Sequence, residues 1–198
     1  MTDQPRPRRP AILEQPEAEL IEGDHDTAES SELAHDTAQA VLGHPDAPDD
    51  LALRIRTAID EEGLDSVAGL WSRSPAATLP GTLWRLYLLL DWIERDPETV
   101  DARYGEGDPG DVPDPQTLAQ EIGHLLAGRE PDSVAGITAR AADLFDVLAR
   151  GAAAHHQTSQ TASHAPATEP AVEGTQGLEA TARELRHAAE LARRGMLN

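Results

Sequence analysis

The apolar run from Leu79 to Ile93 constrains the fold more than any other segment of this chain. Its leucines recur at intervals of four and three residues, and two tryptophans and a further leucine add a second apolar stripe. A helix that is apolar over most of its circumference is normally buried at the centre of a bundle. The run contains Arg85 and Asp91 and is about fifteen residues long, whereas a membrane span needs about 20 apolar residues. We therefore predict a buried central helix and no association with a membrane.

The segments on both sides of this run also have a helical period, and no stretch alternates with the period of a strand. We predict an all-α fold, a single bundle of about six or seven helices over residues 27–153, in which Gly151 ends the last helix. Before it we expect a disordered acidic tail over 1–26, and after it a flexible Thr/Ser/Ala/Pro-rich linker over 154–177. Residues 178–198 form a C-terminal amphipathic helix. Its apolar stripe consists largely of alanine, so we expect only marginal docking on the core, and the helix could be handed to a partner.

A shift of 67 residues aligns Leu51–Leu70 with Leu118–Ile137 without a gap. Eight of the twenty aligned positions are identical, and the run Asp-Ser-Val-Ala-Gly occurs at 65–69 and again at 132–136. The similarity indicates either an internal duplication of a helical hairpin or a helix-capping sequence that arose twice. Both interpretations concern the fold, and neither of them predicts a catalytic or binding site.

The composition excludes several classes of function. The chain has 36 acidic residues and 16 arginines, with no lysine and no cysteine, and its formal net charge is −20. Without cysteine there is no zinc ribbon, disulfide scaffold or thiol nucleophile, and without lysine there is no P-loop or Schiff-base chemistry. A field of this sign opposes a phosphate backbone, so nucleic acid is an unlikely partner. No apolar signal region follows the N-terminal arginines, so we expect a cytoplasmic protein.

Two motifs suggest a bound cofactor or metal but fail on context. Residues 105–110 match the dinucleotide fingerprint G-x-G-x-x-G, yet a helix precedes them and their acidic side chains would repel a pyrophosphate. Glu-x-x-His occurs three times, but Glu121, His124 and His187 lie off the apolar faces of their helices, so a di-iron bundle site is not expected. We predict no cofactor, no metal and no catalytic residue. The three pairs are Glu32/His35, Glu121/His124 and Glu184/His187.

Four of the six aromatic residues and one arginine lie within 22 residues of each other. Tryptophan, tyrosine and arginine dominate the energetics of protein interfaces. On an apolar helix the same side chains can instead be core, although Arg85 must reach solvent, pair with an acid or meet a partner. These residues are our candidates for partner binding: Trp71, Trp84, Arg85, Tyr87 and Trp92.

The sequence favours a non-enzymatic protein–protein interaction or regulatory module. Its partner would be another protein or a second copy of the chain, bound through the tryptophan and arginine region or through the terminal helix. The alternative is a helical small-molecule-binding protein or enzyme with a pocket near Trp84 and Tyr104. A third hypothesis is association with nucleic acid through the arginine arm formed by Arg6, Arg8 and Arg9.

Overall fold

The computed structural model describes residues 25–44, 47, 49–129, 134–162 and 169–198, and within them the fold is all-α. The expected N-terminal tail up to residue 24, and with it the arginine arm, lies outside the described residues. The described part of the chain forms a bundle of eight α-helices, with a 3₁₀ turn, Gly69–Trp71, after α3. The helices are α1 (His25–Val41), α2 (Asp49–Glu62), α3 (Asp65–Ala68), α4 (Leu79–Arg95), α5 (Pro97–Glu106), α6 (Pro115–Leu126), α7 (Val134–Ala162) and α8 (Glu169–Arg193).

Helix α4 is the central element, as its apolar period predicts. The Thr78 side chain caps it by accepting a hydrogen bond from Gly81 N at 3.3 Å, and Pro80 occupies the first turn, where its missing N–H costs nothing. Helices α1, α5, α6, α7 and α8 all contact α4. The five residues of its predicted face are buried: Leu79, Leu83, Leu86, Leu90 and Ile93.

Helices α7 and α8 pack against each other along their lengths and have the most extensive contact in the bundle. Arg186 of α8 donates to the carboxylates of Asp143 and Asp146 of α7, at 3.3 and 2.6 Å. Helix α7 passes through Gly151 and continues to Ala162, and α8 begins at Glu169. Both helices therefore extend into residues 154–177, where composition suggested a flexible linker, and only 163–168 separate them. The three alanines directly after Gly151 have high helix propensity, which favours continuation of α7 beyond that residue.

Helix α8 packs on the core; whether this docking is only marginal in energy, as its alanine-rich stripe suggested, stays a prediction. Ala182, Leu185, Ala188 and Ala189 are all buried. Alanine contributes little apolar area, but it lets two helix backbones approach closely, and the contact runs along a helix of 25 residues. After α8 the chain returns to the central helix, where Leu79 N donates to the backbone oxygen of Asn198 at 2.7 Å.

Two glycines allow α5 and α7 to cross at backbone contact. A Cβ atom on Gly151 would overlap the backbone oxygen of Arg103, and one on Gly107 would overlap that of Val147. Gly151 is therefore a packing residue inside α7, and the prediction that it ends the helix is wrong. Two hydrogen bonds also stabilise the loop that begins at Gly107. Arg150 Nε donates to Gly107 O at 2.9 Å, and the Tyr104 hydroxyl donates to Val112 O at 2.6 Å.

The two segments related by the 67-residue shift share the order helix, turn, helix. Their first helices end at different aligned positions. The last residue of α2, Glu62, aligns with Arg129, but α6 already ends at Leu126. The second helix has four residues in the first segment and 29 in the other. Residues 132 and 133 of the repeated run lie outside the described residues, and superposition of the two segments remains a prediction.

Thr138 of α7 provides a test of the packing in the core. Its side chain is fully buried, and its hydroxyl has no hydrogen-bond partner within the described ranges. A buried hydroxyl without a partner keeps its desolvation cost, so we expect Thr138→Val to raise the free energy of unfolding by about 1 kcal/mol in urea titrations. Thr82→Val is the matched control, because that equally buried hydroxyl donates to Thr78 O at 2.8 Å and its loss should destabilise. Equal destabilisation by both substitutions would contradict this account of Thr138.

Candidate functional site

A groove with a volume of about 350 Å³ lies beside α4, and we call it the Trp84 groove. Trp84, Leu88 and Trp92 are spaced four residues apart, so they follow one face of α4 over about 12 Å. Leu88 is 43% exposed, whereas Phe145 of α7, which also lines the groove, is buried. The lining residues are Ser72, Arg73, Ser74, Trp84, Arg85, Leu88, Trp92, Phe145, Thr181 and Glu184.

Arg85 forms an ion pair that joins the central helix to the C-terminal one. Its Nε donates to Glu184 Oε2 at 2.7 Å, and Nη1 donates to Gly81 O at 2.9 Å. The Arg85 side chain is 20% exposed, so the guanidinium is largely shielded and its charge is balanced by the carboxylate. Of the three possibilities that the sequence left open for Arg85, the structure shows pairing with an acid. The ion pair forms part of the groove lining.

Each of the two tryptophan rings of the groove contacts a neighbouring side chain that restricts its position. The Trp84 ring stacks on Tyr87, with centroids 5.4 Å apart, and the Tyr87 hydroxyl donates to Asp65 Oδ1 at 2.7 Å. Burial, with the hydrogen bond to Asp65 and the charge of that carboxylate, raises the pKa of Tyr87 to about 12. The Arg103 guanidinium lies 5.4 Å from the centroid of Trp92, a cation–π contact. These contacts restrict the rings and reduce the entropy that binding would cost.

Trp71 lies in the core of the bundle. It is fully buried, and its Nε1 donates to Thr37 Oγ1 at 3.1 Å. The Thr37 hydroxyl lies 2.8 Å from Leu33 O and 3.0 Å from Ala34 O, within hydrogen-bond reach of both. Trp71 therefore anchors the 3₁₀ turn directly before Ser72 and supports the edge of the groove without lining it.

The structure brings together three of the five candidates, Trp84, Arg85 and Trp92, while Tyr87 lies behind Trp84 and Trp71 lies in the core. Leu88 was not among the candidates from the sequence. Its position midway between the two tryptophans on one helical face could have identified it as part of the same surface. The contributions of Phe145 and Glu184 come from α7 and α8, and sequence spacing carries no information about such distant neighbours. Tyr104 is absent from the lining, and burial raises the pKa of its hydroxyl.

Two further observations concern metal binding and membrane insertion. Among the side chains that the structure describes, no group of three or more His, Asp or Glu residues could hold a metal ion. Two glutamates of the Glu-x-x-His pairs form ion pairs instead, Glu121 with Arg140 at 2.6 Å and Glu184 with Arg85. In the same part of the chain, no helix has the length and apolar character needed to cross a bilayer.

A second depression, of about 160 Å³, lies where α1 and α6 end. Arg56 and Arg129 line it together with Asp60. The C-terminal ends of helices carry partial negative charge, which favours nearby guanidinium groups. The lining has a formal charge of +1, and the two guanidinium groups lie beside helix ends whose partial negative charge favours them.

Comparison of the chain with protein-family models, with curated proteins and with solved structures gives no match.

Proposed function

We propose that this protein is a non-enzymatic interaction module that binds a segment of a partner protein in the Trp84 groove. The observation that carries the proposal is the exposure of Leu88 between two tryptophans whose rings are held by contacts behind them. Tryptophan is among the residues in which interface hot spots are enriched, and the exposed leucine between the two rings adds apolar contact area. A spacing of four residues along a helix also matches the spacing of anchor side chains on an amphipathic partner helix.

The polar groups of the groove are better suited to binding than to catalysis. Arg85 and Glu184 neutralise each other, and the hydroxyls of Ser72 and Thr181 donate to Gly69 O and Gly177 O of their own backbone. No histidine lines the groove. A hydroxyl nucleophile needs an adjacent base, and the one carboxylate of the lining, Glu184, is paired with Arg85.

A second candidate function is the binding of a small apolar molecule. The volume of about 350 Å³ lies at the lower end of the range of about 300–1,000 Å³ for ligand pockets. An aromatic compound that fits between Trp84 and Trp92 would raise the melting temperature and change tryptophan fluorescence. A screen of aromatic fragments by both measurements tests this candidate, and binding by such a fragment that Leu88→Asp leaves unchanged would place the ligand elsewhere.

Selection from a peptide display library tests the interaction module. We expect the wild-type chain to enrich peptides with apolar residues spaced three or four apart, and Leu88→Asp to weaken their binding about 30-fold, because a carboxylate would replace the exposed apolar contact. The matched control is Leu53→Asp, since Leu53 is 68% exposed on α2 and does not line the groove. Binding would be measured by titration of each purified variant with a selected peptide.

Three results would contradict the proposal. The first is the absence of enrichment above the bare support. The second is retention of binding by Leu88→Asp, and the third is an equal loss for Leu53→Asp, which would show a general effect of added negative charge. Circular dichroism of both variants verifies that each is folded.

A further inference from the structure

The charges of the chain are distributed unevenly around the Trp84 groove. The segments that form it, residues 72–95, 134–154 and 174–198, contain nine arginines and seven acidic residues. The rest of the chain contains seven arginines and 29 acidic residues. One of the nine arginines, Arg140, pairs with Glu121 outside these segments, so the segments that form the groove are close to neutral, whereas the whole chain carries a net charge of −20.

Several acidic side chains of these segments are paired with arginines of the same segments. Asp91 pairs with Arg95 at 2.7 Å, and Glu190 pairs with Arg193 and Arg194 at 2.6 Å. Within the groove itself three side chains are charged, and two of them, Arg85 and Glu184, pair with each other. The third is Arg73, an exposed side chain for which the described residues supply no ion pair or hydrogen bond. The groove therefore presents apolar rings beside one uncompensated guanidinium.

We infer that the partner segment is amphipathic and acidic, with a carboxylate next to the apolar side chains that enter the Trp84 groove. This inference rests on the proposed function, because it names the chemistry of the partner for the same site. Salt screens charges over about 8 Å at physiological ionic strength, and Arg73 lies in the groove lining, so its charge acts at full strength only on a carboxylate that docks beside it.

The composition of the selected peptides and a charge reversal test the inference together. We expect peptides enriched on the wild-type chain to contain more Asp and Glu than the unselected library. For a selected acidic peptide, Arg73→Glu should weaken binding at least threefold, and a lysine version of the same peptide should bind Arg73→Glu more tightly than it binds wild type. Arg54→Glu is the matched control, because it makes the same change in net charge on exposed α2, away from the groove.

The possible failures separate the inference from the proposed function. Enriched peptides that are basic or uncharged but still depend on Leu88 would overturn the acidic partner and leave the interaction module standing. Equal effects of Arg73→Glu and Arg54→Glu would also overturn it, because the net charge would then explain the change. If sedimentation shows a dimer that Leu88→Asp dissociates, the occupant is a second copy of the chain and the inference is wrong. The absence of any peptide binding would overturn both proposals.

Discussion

Replacing Gly151 by alanine should destabilise the protein by about 3 kcal/mol, one of the largest effects expected from the addition of a single methyl group. The added Cβ would overlap the backbone oxygen of Arg103, where α7 crosses α5. A side chain could rotate away from such an overlap, but a backbone carbonyl inside a helix is held by its hydrogen bond. The two helices would have to separate, and the contact between Gly107 and Val147 would open with them. Urea unfolding followed by circular dichroism measures the change.

The control for this prediction is Gly123→Ala in α6. A Cβ at residue 123 has no neighbour within 4 Å, so the substitution should stabilise the protein by about 0.5–1 kcal/mol through the higher helix propensity of alanine. If Gly151→Ala behaves like Gly123→Ala, α5 and α7 do not meet at this crossing, and the packing described for them is wrong.

Removal of residues 169–198 should abolish cooperative thermal unfolding of what remains. The deletion takes away all of α8, whose buried alanines and Leu185 cover α7, and it leaves Arg85 without Glu184. The apolar surface of the bundle that α8 covers would then face water, which removes a large part of the driving force for folding. Melting followed by circular dichroism, together with binding of a dye that recognises exposed apolar surface, measures the outcome.

Point substitutions within the full chain keep this prediction testable if the truncated chain does not fold. Leu185→Ala should lower the free energy of unfolding by about 3 kcal/mol, because Leu185 is fully buried. Met196→Ala, at a side chain that is 59% exposed after the end of α8, should change it by less than about 0.5 kcal/mol. A truncated chain that melts within a few degrees of the full chain would support the marginally docked helix that the alanine-rich stripe suggested.

The central helix and its buried face could be predicted from local sequence alone. Helix geometry places residues three and four positions apart on one side, so the spacing from Leu79 to Ile93 already defines the face that must be covered. The start of α4 is equally local, since Thr78 caps the helix and Pro80 fits its first turn. The all-α class follows for the same reason, because helical periods recur through the described residues.

The tertiary structure decided the features that depend on contacts between distant residues. The sequence grouped Trp71 with Trp84 by proximity, but Thr37 accepts the Trp71 hydrogen bond in the core, whereas the Trp84 ring borders an open groove. Among the three outcomes that the sequence left open for Arg85, the structure shows pairing with an acid, Glu184, which lies 99 residues further along the chain.

The role of Gly151 shows the same limit on local reasoning. A glycine can end a helix or allow two helices to touch, and only the neighbour across the contact distinguishes the two roles. Here that neighbour is the backbone of Arg103 on α5. Sequence periodicity therefore determined which faces of the helices are apolar, while the packing of α7 and α8 determined which of those faces are buried and left Leu88 exposed, because burial depends on partners that are remote in the chain.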